Sequence, residues 1–506
     1  MNLFIDNPID VQNDVFASLI ADAQNTVWGR QYGYASIASK REFADRVPLN
    51  TYEKLEPYIN RVMRGEKNVL WYSDVSWFAK SSGTTNDRSK FIPVSYEALE
   101  DCHYKAGKDM LSIYVNNYCP ETQLFGGKVL GLGGSSYANQ HNAASHCGDL
   151  SAVLMQNLPL WVEFIRTPQL DIALMDNWEQ KIEQLAKTTI NENVTNASGV
   201  PTWTLLLFEW ILDYTGKKNI LEVWENFELY IHGGVSFAPY KEQFRRFLPS
   251  NQIHYLETYN ASEGFFGIQD QPDSDELLLM LDYGIYYEFI EMENFEQENP
   301  PTKTLEQVET DKNYALVIST NAGLWRYIIG DTIKFTNLKP FRFKITGRTK
   351  YFINAFGEEL ILDNAEKALM HACHATQAIM SDYTACPIYF GSATTQSAII
   401  LINPNPIQNA KGGHEWAIEF EQAPNDLEIF TDTLDHVLRQ INSDYDAKRT
   451  GNIAMLRPKI NLLPKNTFYQ WLKSKNKLGG QYKVPRLANH RRYVDEILAI
   501  ASKNTK

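Results

Sequence analysis

KSSGTTNDRSKFIP, residues 80–93, lies between Val75–Ala79 and Phe91–Val94, two apolar stretches whose β-branched and aromatic residues read as strands. Hydroxyls, a glycine and a lysine share the turn: Ser81, Ser82, Gly83, Thr84, Thr85 and Lys90. Gly83 lets the backbone approach an anion, the hydroxyls donate to it, and Lys90 brings a positive charge. That is the chemistry of a phosphate cradle. It is not a Walker A loop, because GxxxxGK[ST] is absent and a strand, not a helix, follows. Standing alone, a Ser/Thr-rich turn is more often only a turn.

Three further segments accompany it. Tyr259–Gly264 reads YNASEG and gathers an aromatic to stack on a base, Ser262 to meet a phosphate and Glu263 to hold Mg²⁺. Arg326–Thr332, RYIIGDT, sets Asp331 directly after a glycine, where a carboxylate can accept both hydroxyls of a ribose. The plain alternative is a turn aspartate. Gly347–Leu360, GRTKYFINAFGEEL, follows an alternating strand, Phe341, Phe343 and Ile345. Arg348 there can reach a phosphate or ribose, and Gly357 permits a tight turn.

In this order the four segments resemble the core motifs of the adenylate-forming superfamily: acyl-CoA synthetases, peptide-synthetase adenylation domains and luciferases. The forms SSGTT-x4-K, YNASE and RYIIGD, with KLGGQYKVPRL at 477–487, look most like the auxin-responsive promoter family of acyl acid amido synthetases and its bacterial relatives. The resemblance spans residues 80–487. It implies that Ser81, Ser82, Gly83, Thr84, Thr85 and Lys90 hold ATP phosphates, that Tyr259 stacks on adenine, and that Ser262 contacts the α-phosphate. It further implies Glu263 as the Mg²⁺ ligand, Asp331 on the ribose, Arg348 as a brace for the nucleotide, and Lys350 at a hinge. Lys483 is the candidate for the mobile C-terminal lysine of adenylation, with Lys477 a weaker one. His232, Gly233 and Gly234 resemble a glycine-pair turn near the acyl carboxylate. Two departures stand out: Asn86–Ser89 lacks the second glycine common in this loop, and Glu359 stands where relatives often carry a basic residue.

Composition agrees with a large globular enzyme. The chain has 506 residues, 44% of them hydrophobic, enough for an extensive core and more than one domain. A formal charge of -13 disfavours nucleic acid as a partner, because counterion release needs clustered cations. The short basic runs, Arg245-Arg246, Lys473–Lys477 and Arg491-Arg492, read as solvated surface. Five cysteines without a CxxC pair fit a reducing compartment. Met1–Asp14 lacks the basic region and apolar core of a signal peptide, and no run reaches the ~18 apolar residues of a membrane span. The expectation is a cytoplasmic protein without membrane insertion.

Elsewhere the reading is structural. The first seventy residues read as helices, and a capping box at Asp176 and Glu179 opens another, with Ile182, Leu185, Ala186 and Ile190 as its apolar stripe. Trp203–Leu212 reads as a buried helix. Tyr314–Thr320 and Ser397–Asn403 read as buried strands, and Glu291–Asp311 and Asn403–His414 as exposed loops. His371, Cys373 and His374 lack any zinc-ligand spacing, and His141, His146 and Cys147 form no base-and-nucleophile set.

The expected fold is α/β. A large adenylate-forming domain of β-sheets flanked by helices occupies residues 1–345, and a smaller, mobile α+β domain residues 346–506. The expected reaction uses ATP and Mg²⁺ to convert a small-molecule carboxylic acid to an acyl-adenylate, which an amino acid then discharges as an amide. The alternatives are a coenzyme A ligase forming a thioester, or an ATP-binding module without catalysis.

Overall fold

A computed structural model describes residues 2–81, 90–118, 122–134, 136–138, 145–234, 237, 240–349, 352–353, 358, 360–389, 412–449, 455–475, 477–478 and 483–504. The chain divides into two compact units. The first holds residues 1–235, 245–344 and 479–481, and the second residues 236–244, 345–478 and 482–506.

In chain order the strands begin with β1 (Trp77–Ser81), β2 (Lys90–Val94), β3 (Lys128–Gly131), β4 (Ser136–Ala138), β5 (His146–Gly148) and β6 (Arg166–Thr167). Then come β7 (Val194–Gly199), β8 (Leu229–Gly233), β9 (His254–Ala261), β10 (Gly264–Ile268), β11 (Leu277–Leu279) and β12 (Ile285–Glu291). The last six are β13 (Asn313–Thr320), β14 (Tyr327–Leu338), β15 (Phe341–Arg348), β16 (Ile379–Tyr389), β17 (Gly412–Gln422) and β18 (Lys459–Leu463).

The first unit is built on an 11-stranded sheet ordered β12-β13-β14-β15-β11-β10-β9-β8-β7-β3-β6. Strands β6, β3, β7, β8 and β9 run parallel, whereas β9 pairs antiparallel with β10. Strand β9 is therefore the seam between a parallel and an antiparallel half. The chain goes from β3 out to the edge strand β6 and returns to β7 on the other side of β3. Open α/β sheets bind ligands at the carboxyl ends of strands beside such a reversal. Three neighbouring parallel strands end on glycine: Gly131, Gly199 and Gly233. At Gly233 a Cβ would come within 2.4 Å of Thr258 O, so only glycine lets β8 and β9 approach there. A second sheet, β2-β1-β5-β4, carries the loop strands β1 and β2.

The N-terminal helices Pro8–Ala23, Lys40–Arg46 and Tyr52–Met63 bury one face each, with Leu19, Phe43, Leu55 and Ile59 in the main core. The helix Pro201–Thr215 buries Trp203, Leu205, Leu207, Phe208 and Ile211, as the Trp203–Leu212 reading predicts, while Glu209, Asp213 and Tyr214 are exposed. The second unit packs the helices Leu362–Thr376 and Leu427–Ile441 on the sheet β16-β17-β18, with Leu369, Trp416, Ile418, Leu434 and Leu438 fully buried. Among the described residues no helix is long and apolar enough to cross a membrane.

Several local expectations change. The helix expected from Asp176 spans Trp178–Thr189, and Asn177 is its cap, accepting from Gln180 N at 3.0 Å. Strand β13 is buried along Tyr314–Thr320 as expected. In β15 the alternation slips at Ile345, which is 36% exposed, where the chain passes from one unit to the other. The acidic segment Glu291–Asp311 is better anchored than its composition implies: Leu305 and Val308 are buried, and Lys303 pairs with Glu291 and Glu309. His414 lies within β17, not in a loop, because its Nε2 meets Glu358 Oε1 at 2.8 Å in a fully buried pair. Arg491 does not belong to a solvated run: it pairs with the buried Glu415 and with Asp495. The expected strand Ser397–Asn403 lies outside the described residues.

Candidate functional site

Tyr259 is carried near the carboxyl end of the seam strand β9. Its ring is 5% exposed and packs on Phe266 and Phe343, with centroids at 4.8 and 6.2 Å. Its hydroxyl donates to Asp331 Oδ2 at 2.5 Å. The structure thus joins two of the residues singled out from separate motifs, 72 positions apart.

Asp331 is not in a turn. It sits inside β14, where pairing with β13 jumps from Val317↔Ile328 to Ala315↔Thr332. The extra residues form a bulge containing Gly330 at φ 92. A bulge re-aims a side chain within a strand, and a left-handed glycine makes it inexpensive. The RYIIGD pattern therefore encodes a bulge that turns a strand aspartate towards Tyr259.

Three residues beyond Tyr259, Ser262 and Glu263 form the two-residue turn joining β9 to β10, with Ala261 paired to Gly264. Ser262 is 8% exposed, and Glu263 is half-buried. A Cβ at Gly264 would fall 2.6 Å from Ile285 Cδ1, so a larger residue there would push Ile285 aside. One half-exposed carboxylate fits a Mg²⁺ ion that draws its remaining ligands from phosphates and water. Among the described residues no group of three or more potential ligands forms a dedicated metal cage. His371, Cys373 and His374 lie on the helix Leu362–Thr376 without such a cluster, and burial pushes the Cys373 thiol up to about 12.

The phosphate-loop motif is described at its two ends. Ser81 closes β1, Lys90 opens β2, and the two are cross-strand partners. Ser82, Gly83, Thr84 and Thr85 lie outside the described residues. The Lys90 ammonium stands over the Tyr52 ring, 5.7 Å from its centroid.

The remaining candidates belong to the second unit. Arg348 is the last residue of β15 and is half-buried, whereas Lys350 lies outside the described residues. Lys483 is exposed, immediately before a segment laid along β16. That segment is fixed by Thr384 Oγ1 donating to Pro485 O at 2.6 Å and Ala385 N donating to Arg486 O at 2.8 Å. Arg486 stacks on Tyr383 at 4.8 Å, pairs with Asp382 and donates to Tyr240 Oη at 2.6 Å. A well-held base thus presents a long cationic side chain to solvent. Lys477 is half-buried.

Two features escaped sequence reasoning. His103, on a π-helical stretch Ala98–Tyr104, is 6% exposed and faces Asn260 of the YNASEG motif. Burial drives its pKa down to about 4, so the imidazole is neutral at pH 7. Arg326, the first residue of RYIIGDT, is buried and turned away from any ligand role: its guanidinium donates to Glu288, Thr302, Ala44 O and Val47 O. Only the unusual run of aromatic and β-branched neighbours around Arg326 hinted at burial.

Family models match nearly the whole chain: a GH3 family N-terminal domain over residues 1–253, a GH3 family central domain over 278–348 and a GH3 family C-terminal domain over 363–492. Indole-3-acetic acid-amido synthetase GH3.3 of Arabidopsis thaliana is 22% identical over 548 residues, covering 94% of this chain and 89% of its own. Jasmonoyl--L-amino acid synthetase JAR4 of Nicotiana attenuata is 24% identical over 457 residues, covering 77% of each. Among solved structures, GH3.15 acyl acid amido synthetase superposes with a TM-score of 0.78 at 16% identity, over 98% of this chain and 94% of that one. A 2-hydroxyisobutyryl-CoA ligase in its postadenylation state shares the fold at a TM-score of 0.58 and 11% identity, over 97% and 91%.

Proposed function

This chain belongs to the GH3 family, and from that premise we propose that it is an ATP-dependent acyl acid amido synthetase. A carboxylate oxygen of the acid attacks the α-phosphorus of ATP, the bond to the β-phosphate breaks, and pyrophosphate leaves. The amino group of an amino acid then attacks the acyl carbonyl, AMP leaves, and the ammonium proton is lost to solvent. The observation that carries this reading is the Tyr259–Asp331 contact, which brings the adenine and ribose candidates together at the seam strand, three residues before the Ser262–Glu263 turn.

In this mechanism Asp331 receives the ribose hydroxyls, and Tyr259 holds its carboxylate in place from one side. The buried Tyr259 ring offers an apolar wall to adenine. Ser262 donates to the α-phosphate, while Ser81, Ser82, Gly83, Thr84, Thr85 and Lys90 take the β- and γ-phosphates. Arg348 braces the nucleotide. Glu263 would hold Mg²⁺, which neutralises phosphate charge when bound. Lys483 serves adenylation and Lys350 the hinge of a C-terminal domain, residues 346–506, that moves between the two steps. The unpaired thiols among the described cysteines support placement in the cytoplasm.

The direct test is ATP/pyrophosphate exchange against a panel of carboxylic acids, followed by mass spectrometry of products with amino acids or coenzyme A. Acid-dependent exchange and an amide are expected. A thioester without an amide would leave adenylation standing and remove the amido assignment, and no exchange with any acid would remove both. Asp331→Ala should weaken ATP binding by about 1.5 to 3 kcal/mol, the range for hydrogen bonds to a charged group. Calorimetry showing unchanged affinity would exclude Asp331 from the ribose.

A further inference from the structure

Tyr52 is the first residue of the helix Tyr52–Met63 and is 7% exposed. Its phenol does two things at the mouth of the phosphate loop. The ring face lies 5.7 Å from Lys90 Nζ, within cation–π range. The hydroxyl accepts from Phe91 N at 2.9 Å. Strand β2 is an edge strand, and Phe91 belongs to it, so Tyr52 takes an outward N–H that the sheet itself does not pair. Burial raises the phenol to about 12, which keeps it neutral and its hydroxyl intact.

Two residues earlier the same segment is fastened to the strand of Asp331. Asn50, 2% exposed, pairs with the start of β14 through Asn50 N to Arg326 O at 2.9 Å and Ile328 N to Asn50 O at 2.8 Å. Its side chain donates to Trp325 O at 2.6 Å. Residues 50–52 therefore tie one sheet, which bears Asp331, to the other, which bears Lys90. Nothing in the phosphate-loop or ribose motifs includes this segment.

We propose that Tyr52 is a positioning residue for Lys90, the fixed end of a brace from Asn50 that sets the phosphate-binding cation relative to the ribose-binding strand. The inference rests on the adenylation reading. An ammonium on a four-carbon stem has many rotamers. An aromatic face beneath it favours those that keep the charge at the loop mouth, so less ordering remains when pyrophosphate or ATP arrives.

The test is a double-mutant cycle in ATP/pyrophosphate exchange. Tyr52→Leu should lower kcat/KM for ATP by about 10-fold, within the range of a partly desolvated cation–π contact, and raise KM for pyrophosphate while KM for the acid stays constant. Tyr52→Phe keeps the ring face but loses the bond from Phe91 N, and should recover part of that loss. In a Lys90→Ala background Tyr52→Leu should add nothing further. Equal effects of Tyr52→Leu with and without Lys90, or a Tyr52→Phe variant as impaired as Tyr52→Leu, would overturn the brace. Thermal melting of each variant separates these results from unfolding. If the unmodified protein shows no exchange, the adenylation reading falls and takes the brace with it. Exchange by the unmodified protein with an additive cycle removes the brace alone.

Discussion

Arg326→Leu should destabilise the folded protein by about 3 to 5 kcal/mol, the usual loss when one partner of a buried ion pair is removed. Glu288 is 3% exposed and would be left buried without its partner. Arg326 Nε and Nη2 each donate to Glu288 at 2.9 Å, Nη2 also reaches Thr302, and Nη1 binds Val47 O and Ala44 O at 2.7 and 2.8 Å. One side chain thus fastens the N-terminal helical segment to β12 at the entrance to β14. Arg326 also sits at φ 42, a backbone state disfavoured for a residue with a side chain, which its hydrogen bonds offset. Lysine offers a point charge in place of the fork and should recover only part of the loss. Removing both charges, Arg326→Leu with Glu288→Leu, should be milder than Arg326→Leu alone. Denaturant midpoints at constant slope measure all three. A loss under about 1 kcal/mol for Arg326→Leu would exclude this role.

Lys90→Ala should lower acid-dependent ATP/pyrophosphate exchange about 100-fold, equivalent to about 2.7 kcal/mol of transition-state stabilisation. Lys90 begins an edge strand and is half-buried, so its truncation removes a contact with the Tyr52 ring rather than a core side chain, and the melting temperature should fall far less than exchange. Exchange at the unmodified rate would take Lys90 out of the chemistry. An equal loss of stability would make its role structural.

The elements legible in the sequence are those decided by neighbours in the chain. Tyr314–Thr320 is apolar from Tyr314 to Ile318 and becomes a strand buried on both faces. The apolar stretches Val75–Ala79 and Phe91–Val94 read as strands, and β1 and β2 form there. Motif order likewise pointed to the family, because each motif is a local device. What stayed hidden depends on partners far away in the chain. The bulge at Asp331 exists only because β13 pairs with β14 out of step by the extra residues. Tyr52 meets Lys90 through the packing of two elements, and no spacing rule links them. Its position before Gly330 and Asp331 groups Arg326 with a nucleotide turn, yet its partners Glu288 and Ala44 lie 38 and 282 positions away. The prolines and glycines before His414 suggest a loop, whereas its pairing with Glu358 and packing on Tyr445 bury it in β17.

The second unit includes residues 236–244, drawn from between β8 and β9, and this has a consequence for synthesis. Gln243 donates to Met380 O, and Tyr240 accepts from Arg486 across 246 positions of sequence. At ribosomal rates of about 5 to 20 residues per second, Tyr240 is made roughly 12 to 50 s before Arg486. During that interval Tyr240 and Gln243 await Arg486 and Met380, their partners in the finished protein. The nascent chain must keep this stretch open for its own C-terminus, and no single cut in the gene separates the two units.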